Sequence, residues 1–417
     1  METTALTSGI DPGELREALV ARLIEGGHLR SADIIAAFRT VERHLFLPGV
    51  DPRTAYADDT VATKHGETGE VISCISQPAI IAMQLEQLGV EPGHKVLEAG
   101  AATGYNARLL AELVGPGGHV WTMDVDQDLV DGARENLRRS GASNVTVVLG
   151  DGAVGLPRYG PFDRVQFTVG AGDIPVRILD QLAPGGRLVI PLRIRGSVSR
   201  SFAIERDSDT HRDTYKTVSC EMASFIPLRK GVCDDIRTRV RMAGEGNVYL
   251  HVFAEQNVDL EAIRTVLDRT QVKVFTGVRL RPRTSYEWLY LYLACVLPNG
   301  LSRMPGSRPG FTPHLPWGSM AALDGDTLAY LTVREGEDTQ GRFWQVGVIG
   351  HGPHAADLAD QVATAIDEWG RGWGPDAPKP SFRLAVGDAR ERLRAADPRF
   401  VIDKPNSRIV VDWPRKG

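Results

Sequence analysis

The stretch that most constrains this chain is residues 95–105, Lys-Val-Leu-Glu-Ala-Gly-Ala-Ala-Thr-Gly-Tyr. Lys95, Val96 and Leu97 begin a short apolar run of the kind that fills a buried parallel strand. Gly100 and Gly104 bracket a turn that opens onto a helical run at 106–114. A strand, a tight turn and a helix in that order aim backbone N–H groups, and the positive end of the helix, at whatever ligand lies across the turn. Purely structural turns share the Gly-x-x-x-Gly spacing, so the neighbouring strands must decide what this one is for.

They favour a ligand. The next predicted strand, 120–123, ends in Asp124, about 20 residues beyond the turn, where a carboxylate on a strand tip accepts hydrogen bonds from a ribose diol. A third, 145–149, ends in Gly150-Asp151-Gly152. Three successive parallel strands thus carry a glycine turn, an acid and a second acid at their carboxyl ends, the edge at which open α/β sheets bind ligands. The competing reading leaves Asp124 and Asp151 as helix caps. An amphipathic helix at 127–140, a fourth strand at 164–169, a helix at 176–182 and a fifth strand at 187–191 continue the alternation, which is that of an α/β, doubly wound sheet.

At 417 residues the chain is long enough for two or three domains. A net charge of −5 and the lack of a dense Lys/Arg run give it no general attraction to nucleic acid. Residues 1–11 lack a basic segment followed by an apolar one, and no window approaches the roughly 18 apolar residues of a membrane span, so the chain reads as soluble and cytoplasmic. Cys74, Cys220, Cys233 and Cys295 form no Cys-x-x-Cys pair and read as reduced and buried. The histidines show no metal-ligand spacing, and nothing calls for a metal.

Ahead of the glycine turn, Leu15, Leu19, Leu23 and Ile24 share one helical face, and a second helix runs from Ser31 through Phe38, together a small helical cap. Residues 51–70, charged and poor in apolar side chains, are predicted to be a loop near the active site. Lys64 and His65 within it either meet substrate or hold ordinary solvated positions. A helix follows at 79–88, with Pro78 at its start. Ser76 has two readings: the cap of that helix, or a hydroxyl that donates to a carboxylate ligand held by the same N–H groups.

After about residue 230 the rhythm changes. Strands are predicted at 248–254, 272–278, 343–349 and 408–412, and helices at 258–267, 286–293 and 354–369. A loop rich in Gly, Pro and Arg spans 298–316, a hairpin turns at Asp324-Gly325 within 318–333, and 370–380 resembles a linker. This second, α+β region shows no catalytic constellation, and Trp288, Trp317, Trp344, Trp369 and Trp413 read as its core.

Taken together, residues 15–228 resemble the protein L-isoaspartyl O-methyltransferases. The motifs are Ile-Ser-Gln-Pro at 75–78, Val-Leu-Glu-x-Gly-x-x-x-Gly-Tyr at 96–105, Gly-Asp-Gly at 150–152, Pro-Phe-Asp at 161–163 and Gly-Gly-Arg-Leu-Val-Ile-Pro at 185–191. The resemblance implies a Rossmann-like methyltransferase sheet and S-adenosyl-L-methionine as cofactor. It places Glu98, Gly100, Ala102, Gly104 and Tyr105 around the methionine part, Asp124 at the ribose, and Asp151 with Gly152 at the adenine. It makes Ser76 the catalytic contact to the substrate carboxylate. The chain departs from the pattern at Ala102, usually glycine, at Ala101, usually small and polar, and at Asp124-Val-Asp126, where bacterial members carry Glu-Arg.

Short members of that family end near the position of Leu228, whereas this chain runs on to residue 417. Asn-Gly-Leu-Ser-Arg-Met at 299–304, Pro-Trp-Gly-Ser-Met at 316–320 and Val-Gly-Val-Ile-Gly-His-Gly-Pro at 346–353 resemble the long methyltransferases associated with ribosomally made, modified peptides, including the FxLD type. The implied division is an N-terminal cap and substrate loop (1–78), a cofactor-binding methyltransferase domain (79–230) and a C-terminal α+β domain (231–417) for peptide recognition or dimerisation. The implied partner is a precursor peptide that already carries modifications, with no nucleic acid and no membrane.

The chemistry explains why no general base stands out. An aspartyl or isoaspartyl carboxylate, with a reference pKa of about 4, is already the nucleophile at neutral pH, and the enzyme's task is alignment. The resemblance of the long tail makes methylation of an Asp (or isoAsp) side chain in a modified precursor peptide, leading to succinimide or isoaspartate, the first expectation, and repair of isoaspartate in proteins is its alternative. A methyltransferase for another small molecule is a third reading. A dehydrogenase lacks the third glycine of the dinucleotide fingerprint, and a binding module would hold cofactor without labelling a peptide. Val169-Gly-Ala-Gly172 replaces the Asn/Asp-Pro-Pro-aromatic motif of amino-group methylation.

Overall fold

The computed structural model describes residues 11–67, 69–207, 213–231, 233–312 and 319–416. The chain divides into two units: Met1–Pro191 with Ser201–Ser208 and Val218–Asp234, and Leu192–Arg200 with Asp209–Thr217 and Asp235–Gly417.

The first unit opens with α1 (Pro12–Glu25), α2 (Ala32–Thr40) and the single turn α3 (Pro52–Ala55). Asp11 and Asp51 cap α1 and α3 by accepting the Gly13 and Arg53 N–H groups at 2.8 and 2.7 Å. β1 (Val61–His65) and β2 (Val71–Ile75) pair antiparallel and lead to α4 (Pro78–Leu88). The expected loop at 51–70 is therefore interrupted by α3 and β1. Their charged side chains hid a hairpin whose stability comes from pairing with β2 and from remote partners of Lys64.

Alternation then begins, with β3 (Lys95–Ala99), α5 (Tyr105–Val114), β4 (His119–Asp124), α6 (Gln127–Arg139), β5 (Val145–Leu149), β6 (Phe162–Phe167), α7 (Val176–Leu179) and β7 (Leu182–Arg195). β8 (Val198–Arg206) and β9 (Thr214–Met222) follow. The strand order is 5-4-3-6-7-8-9, and strands 5, 4, 3, 6 and 7 are parallel. The chain steps out from β3 through β4 to β5, then resumes on the other side of β3 at β6. The switch point thus falls beside β3, at the tip that carries the glycine turn. The N-terminal helices belong to this unit: Leu19 and Phe38 share one apolar core with Leu85, Leu110, Val96 and Val120.

The second unit contains β10 (Arg237–Arg241), β11 (Tyr249–Phe253), β12 (Gln271–Leu280), α8 (Glu287–Val296), β13 (Ser302–Met304), β14 (Ser319–Asp324), β15 (Thr327–Asp338), β16 (Gly341–His351), α9 (Ala355–Gly372), β17 (Ser381–Val386), β18 (Val401–Asp403) and β19 (Ser407–Asp412). An antiparallel sheet of order 12-16-15-14-13 takes α9 against it through the buried Leu358, Val362 and Ile366. β17 pairs with β19 on one edge, and its Arg383–Ala385 stretch pairs with residues 214–216 on the other.

The predicted helix at 258–267 shrinks to a 3₁₀ turn, Ala262–Asp268. Val258 bridges to Gly325, and the Asp259 carboxylate accepts the Glu261 and Ala262 N–H groups, so helical geometry can start only beyond them. Trp369 and Trp413 are buried as expected, but Trp288 and Trp344 are partly exposed. Trp288 lies under the Arg200 guanidinium, 4.4 Å from its ring centroid. Trp317 and the end of the predicted loop, 313–316, lie outside the described residues. None of the four cysteines is in a disulfide, and only Cys295 is buried. Among the described residues, no helix is long and apolar enough to cross a membrane.

The cap of α4 is not the one the sequence suggests. Its N-cap is Gln77, with no side-chain cap bond. Asp58 does the work from a distance, accepting the Ala79 N–H at 2.9 Å and the Gln77 side-chain amide at 3.1 Å. Asp58→Ala should cost about 1–2 kcal/mol, the upper range for a lost cap, in urea unfolding; an unchanged midpoint would show that the cap carries no stability.

Candidate active site

The turn after β3 is built by close approach. Gly100 has φ of +106°, and a Cβ there would lie 2.3 Å from Thr168 Oγ1. Thr168 uses that hydroxyl to donate to the Gly100 carbonyl at 2.7 Å, and the Gly100 and Ala101 N–H groups both donate to the Met123 carbonyl at 2.8 Å. Ala102 follows with φ of +43°, a left-handed conformation that an L-alanine adopts at a cost. Its N–H donates to the Asp124 carboxylate at 3.0 Å, which helps to hold it there. Gly104 is the left-handed N-cap of α5.

Asp124 stands at the tip of β4. It accepts from Ala102 and, through its other oxygen, from Val125 at 2.8 Å and Asp126 at 3.4 Å. Burial, with the neighbouring Asp126 charge, pushes its carboxyl above the usual range despite those bonds. Asp151 stands at the tip of β5 and accepts the Ala153 N–H at 2.9 Å. At 152 a Cβ would lie 2.5 Å from the Cβ of Ala99, so only glycine lets the β5 tip close on β3. The structure thus brings Gly100, Ala102, Gly104, Asp124, Asp151 and Gly152 to one edge of the sheet.

Glu98 and Tyr105 lie beneath that edge. Glu98 is fully buried, accepting from Thr122 Oγ1 at 2.5 Å and Asn106 Nδ2 at 2.7 Å. Burial raises its carboxyl to about 7. The Tyr105 ring is turned into the core, against Phe46 and under the Arg43 guanidinium, 5.0 Å from its centroid. Both side chains were expected at the cofactor; as placed, they brace the start of α5.

Arg43 was not singled out in the sequence. It is fully buried and donates to the carbonyls of Ala55 at 2.8 Å and Ser76 at 2.9 Å. It therefore fixes the main chain of Ser76 just ahead of α4. Because Gln77 and Asp58 form the start of that helix, the Ser76 hydroxyl is not its cap; it neighbours the Cys74 thiol instead.

Asp126 was quoted only as a departure, yet it is the electrostatic centre of the site. Lys64 of β1, Arg229 and Lys230 donate to it at 3.1, 2.6 and 2.5 Å. Burial opposes its ionisation, but the bonds from Arg229, Lys230 and Lys64 outweigh burial and hold the carboxyl far below the usual range. The segment after Leu228 thereby crosses the strand tips: the Cys233 carbonyl accepts the Gly172 N–H at 2.9 Å, and Gly231 packs on the Asp151 carboxylate. Lys64 also bonds Asp128 at 2.7 Å, so it is held in an ion-pair network and is not a free surface cation.

A family model described as protein-L-isoaspartate(D-aspartate) O-methyltransferase matches residues 14–232, from the N-terminal helices to this crossing segment. The chain belongs to that family. The protein-L-isoaspartate O-methyltransferase of Hyperthermus butylicus is 38% identical over 223 residues, covering 52% of this chain and 88% of that protein. That of Methanopyrus kandleri is 39% identical over 214 residues, covering 51% and 90%. A solved structure of a protein-L-isoaspartate O-methyltransferase, 22% identical, covers 89% of this chain and 96% of its own with a TM-score of 0.50, a likeness of fold that runs past the family match.

As a member of this methyltransferase family, the chain uses S-adenosylmethionine. The donor set fits that cofactor. Carboxylates at two strand tips suit a ligand's amino group, diol and positive sulfonium, and the N–H groups at the start of α5 suit its carboxylate. A dinucleotide's pyrophosphate would meet acids here, since the nearby cations Lys64, Arg229 and Lys230 are all engaged by Asp126.

Two predictions follow from the turn. Ala102→Gly should stabilise the protein by about 0.5–1 kcal/mol, because relief of the left-handed alanine outweighs the added unfolded-chain entropy; a lower thermal midpoint would refute the strain. Glu98 has a folded value, about 7, above its ordinary 4.5. The native state therefore binds this proton more tightly than the unfolded chain. Its contribution is complete below about pH 4.5 and is lost as pH rises through 7, a change on the order of 3 kcal/mol. Unfolding in urea at pH 5 and pH 8 should show wild type losing more stability than Glu98→Gln across that interval; parallel losses would contradict the assignment.

Proposed function

We propose that this enzyme methylates the free carboxylate of isoaspartyl residues in polypeptides, the reaction for which its relatives are named. The observation that carries the reading is the disposition of Ser76: Arg43 clamps its carbonyl just ahead of α4, and Asp58, by accepting the Ala79 N–H, leaves its hydroxyl out of the capping role. A hydroxyl left out of capping can donate to a substrate carboxylate.

S-adenosylmethionine, when bound, supplies a sulfonium methyl. Gly100, Ala102 and Gly104 with Asp124, Asp151 and Gly152 are the residues that would hold it, while Glu98 and Tyr105 keep α5 in place below. The acceptor needs no base, because an isoaspartyl carboxylate is ionised at neutral pH. Ser76 orients it, and residues 229–231 and 233–234 cover the strand tips and limit water, so rate comes from alignment. The methyl ester no longer carries a charge, and its methoxy group departs as methanol, taking up the amide proton, far more readily than a carboxylate oxygen could. The neighbouring backbone nitrogen can then close a succinimide, whose hydrolysis returns aspartate or isoaspartate.

The expected tailoring of a modified precursor peptide has less support. It rested on three segments of the second unit. Residues 346–351 are buried sheet, and Asn299 is occupied in bonds to Asn257 and to the Leu323 carbonyl. Residues 316–318 lie outside the described chain.

The test is methyl transfer by the full-length protein to two synthetic peptides that differ only in carrying aspartate or isoaspartate. The isoaspartyl peptide should be preferred by about 100-fold or more, and Ser76→Ala should lower kcat/KM about tenfold with cofactor affinity unchanged. Preference for the aspartyl peptide would restore the tailoring reading; labelling of neither peptide would remove both.

A further inference from the structure

Strands β10 and β11 lie in antiparallel register, with Arg237 opposite Phe253, Arg239 opposite His251 and Arg241 opposite Tyr249. Opposed residues share a face and successive residues alternate. The other face carries Val240, Leu250 and Val252, which join the apolar core of the second unit together with Met304. Arg303, between the buried Ser302 and Met304 of β13, points away from that core and so to the arginine side. Arg193 completes the group, its guanidinium 4.1 Å from the Phe253 ring centroid. One face of a chain with net charge −5 thus collects five arginines.

Their compensation is incomplete. Asp235 and Glu255 both pair with Arg193, and Asp235 also lies near Arg237. Among the described residues, Arg239, Arg241 and Arg303 have no ion pair, and the buried Nε of Arg303 has no hydrogen-bond partner. His251 sits among them, 7% exposed. Burial, followed by Arg237, Arg303 and Arg239, pushes its imidazole down to about 3, so it is neutral at physiological pH. A buried donor left unpaired is costly, and like charges gathered without counter-charge repel. Fold stability gives no reason for this arrangement, whereas an anionic ligand would satisfy it.

We propose that this face binds a carboxylate-rich polypeptide segment, with Arg239 and Arg303 as paired-donor forks to its carboxylates and Arg241 at the rim. Single-stranded nucleic acid fits less well, because it needs open rings for stacking. Here Arg239 covers Tyr249 at 4.4 Å, Arg193 covers Phe253, and Phe253 and His251 are buried. The inference concerns binding alone and stands whichever carboxylate is methylated.

The experiment is fluorescence anisotropy of labelled decaglutamate with the full-length protein at about 50 mM salt. Binding should weaken at least about tenfold in the triple variant Arg239→Gln, Arg241→Gln, Arg303→Gln. The exposed pair Arg239→Gln, Arg241→Gln, which leaves every buried group intact, should lose about threefold. Arg334→Gln with Arg342→Gln, removing two cations from β15 and β16 of the same unit, should change nothing. Calorimetry with S-adenosylmethionine checks that each variant is folded. The proposal is overturned by no binding of decaglutamate, by undiminished binding in the exposed pair, or by equal loss in the Arg334/Arg342 control. Arginine-dependent binding of labelled decathymidine tighter than that of decaglutamate would assign the face to nucleic acid instead.

Discussion

The site depends on a single carboxylate. Asp126 is 6% exposed and gathers Lys64, Arg229 and Lys230 from two segments far from it in sequence. A buried acid alone would not stay ionised, and its three partners, which keep part of their own contact with water, are what hold it so. Ionised and fully bonded, Asp126 ties the hairpin β1–β2 and the segment after Leu228 to the junction of β4 and α6. The hairpin and the segment after Leu228 are thereby held in common register with the tips of the parallel strands.

A second constraint sits below the first. The turn at 100–104 works because Thr168, Met123 and Asp124 bind its main chain from three sides, and because Glu98 and Asn106 lock the helix that follows. Ala102 shows why a glycine is usual at that position. Its left-handed backbone is a small local strain, and the Asp124 bond keeps the turn in shape all the same. The carboxylate of Asp124 thus serves the protein's own backbone as well as any diol.

How much of this was legible in the sequence follows from where each residue's partners lie. The parallel strands β3 to β7 and the glycine turn declare themselves because buried parallel strands are continuous apolar runs and tight turns need glycine. The carboxylates at the strand tips follow from the same alternation. Asp58, Arg43 and Asp126 were invisible as organisers, since each acts on residues that become neighbours only on folding. β1 was read as loop and β10 was missed because charge alternates through them; Arg-Thr-Arg-Val-Arg of β10 buries only one side chain of its own. Glu98 and Tyr105 belong to the motif by sequence, yet periodicity could not say that their side chains point below the turn rather than across it.

The division of the chain carries a consequence for how such a protein can be taken apart or have arisen. Leu192–Arg200 and Asp209–Thr217 belong to the second unit, although Val218–Asp234, which follows them, returns to close the first. The C-terminal half is therefore not a module hung on a finished enzyme. A ribosome must release residues 192–217 before the segment that covers the strand tips exists, and no single cut yields two whole pieces. A chain stopped near residue 230 would leave residues 214–216 without their β17 partners. That raw strand edge invites pairing with another chain, so shortening this enzyme to the size of its relatives would trade a folded extension for an aggregation seam.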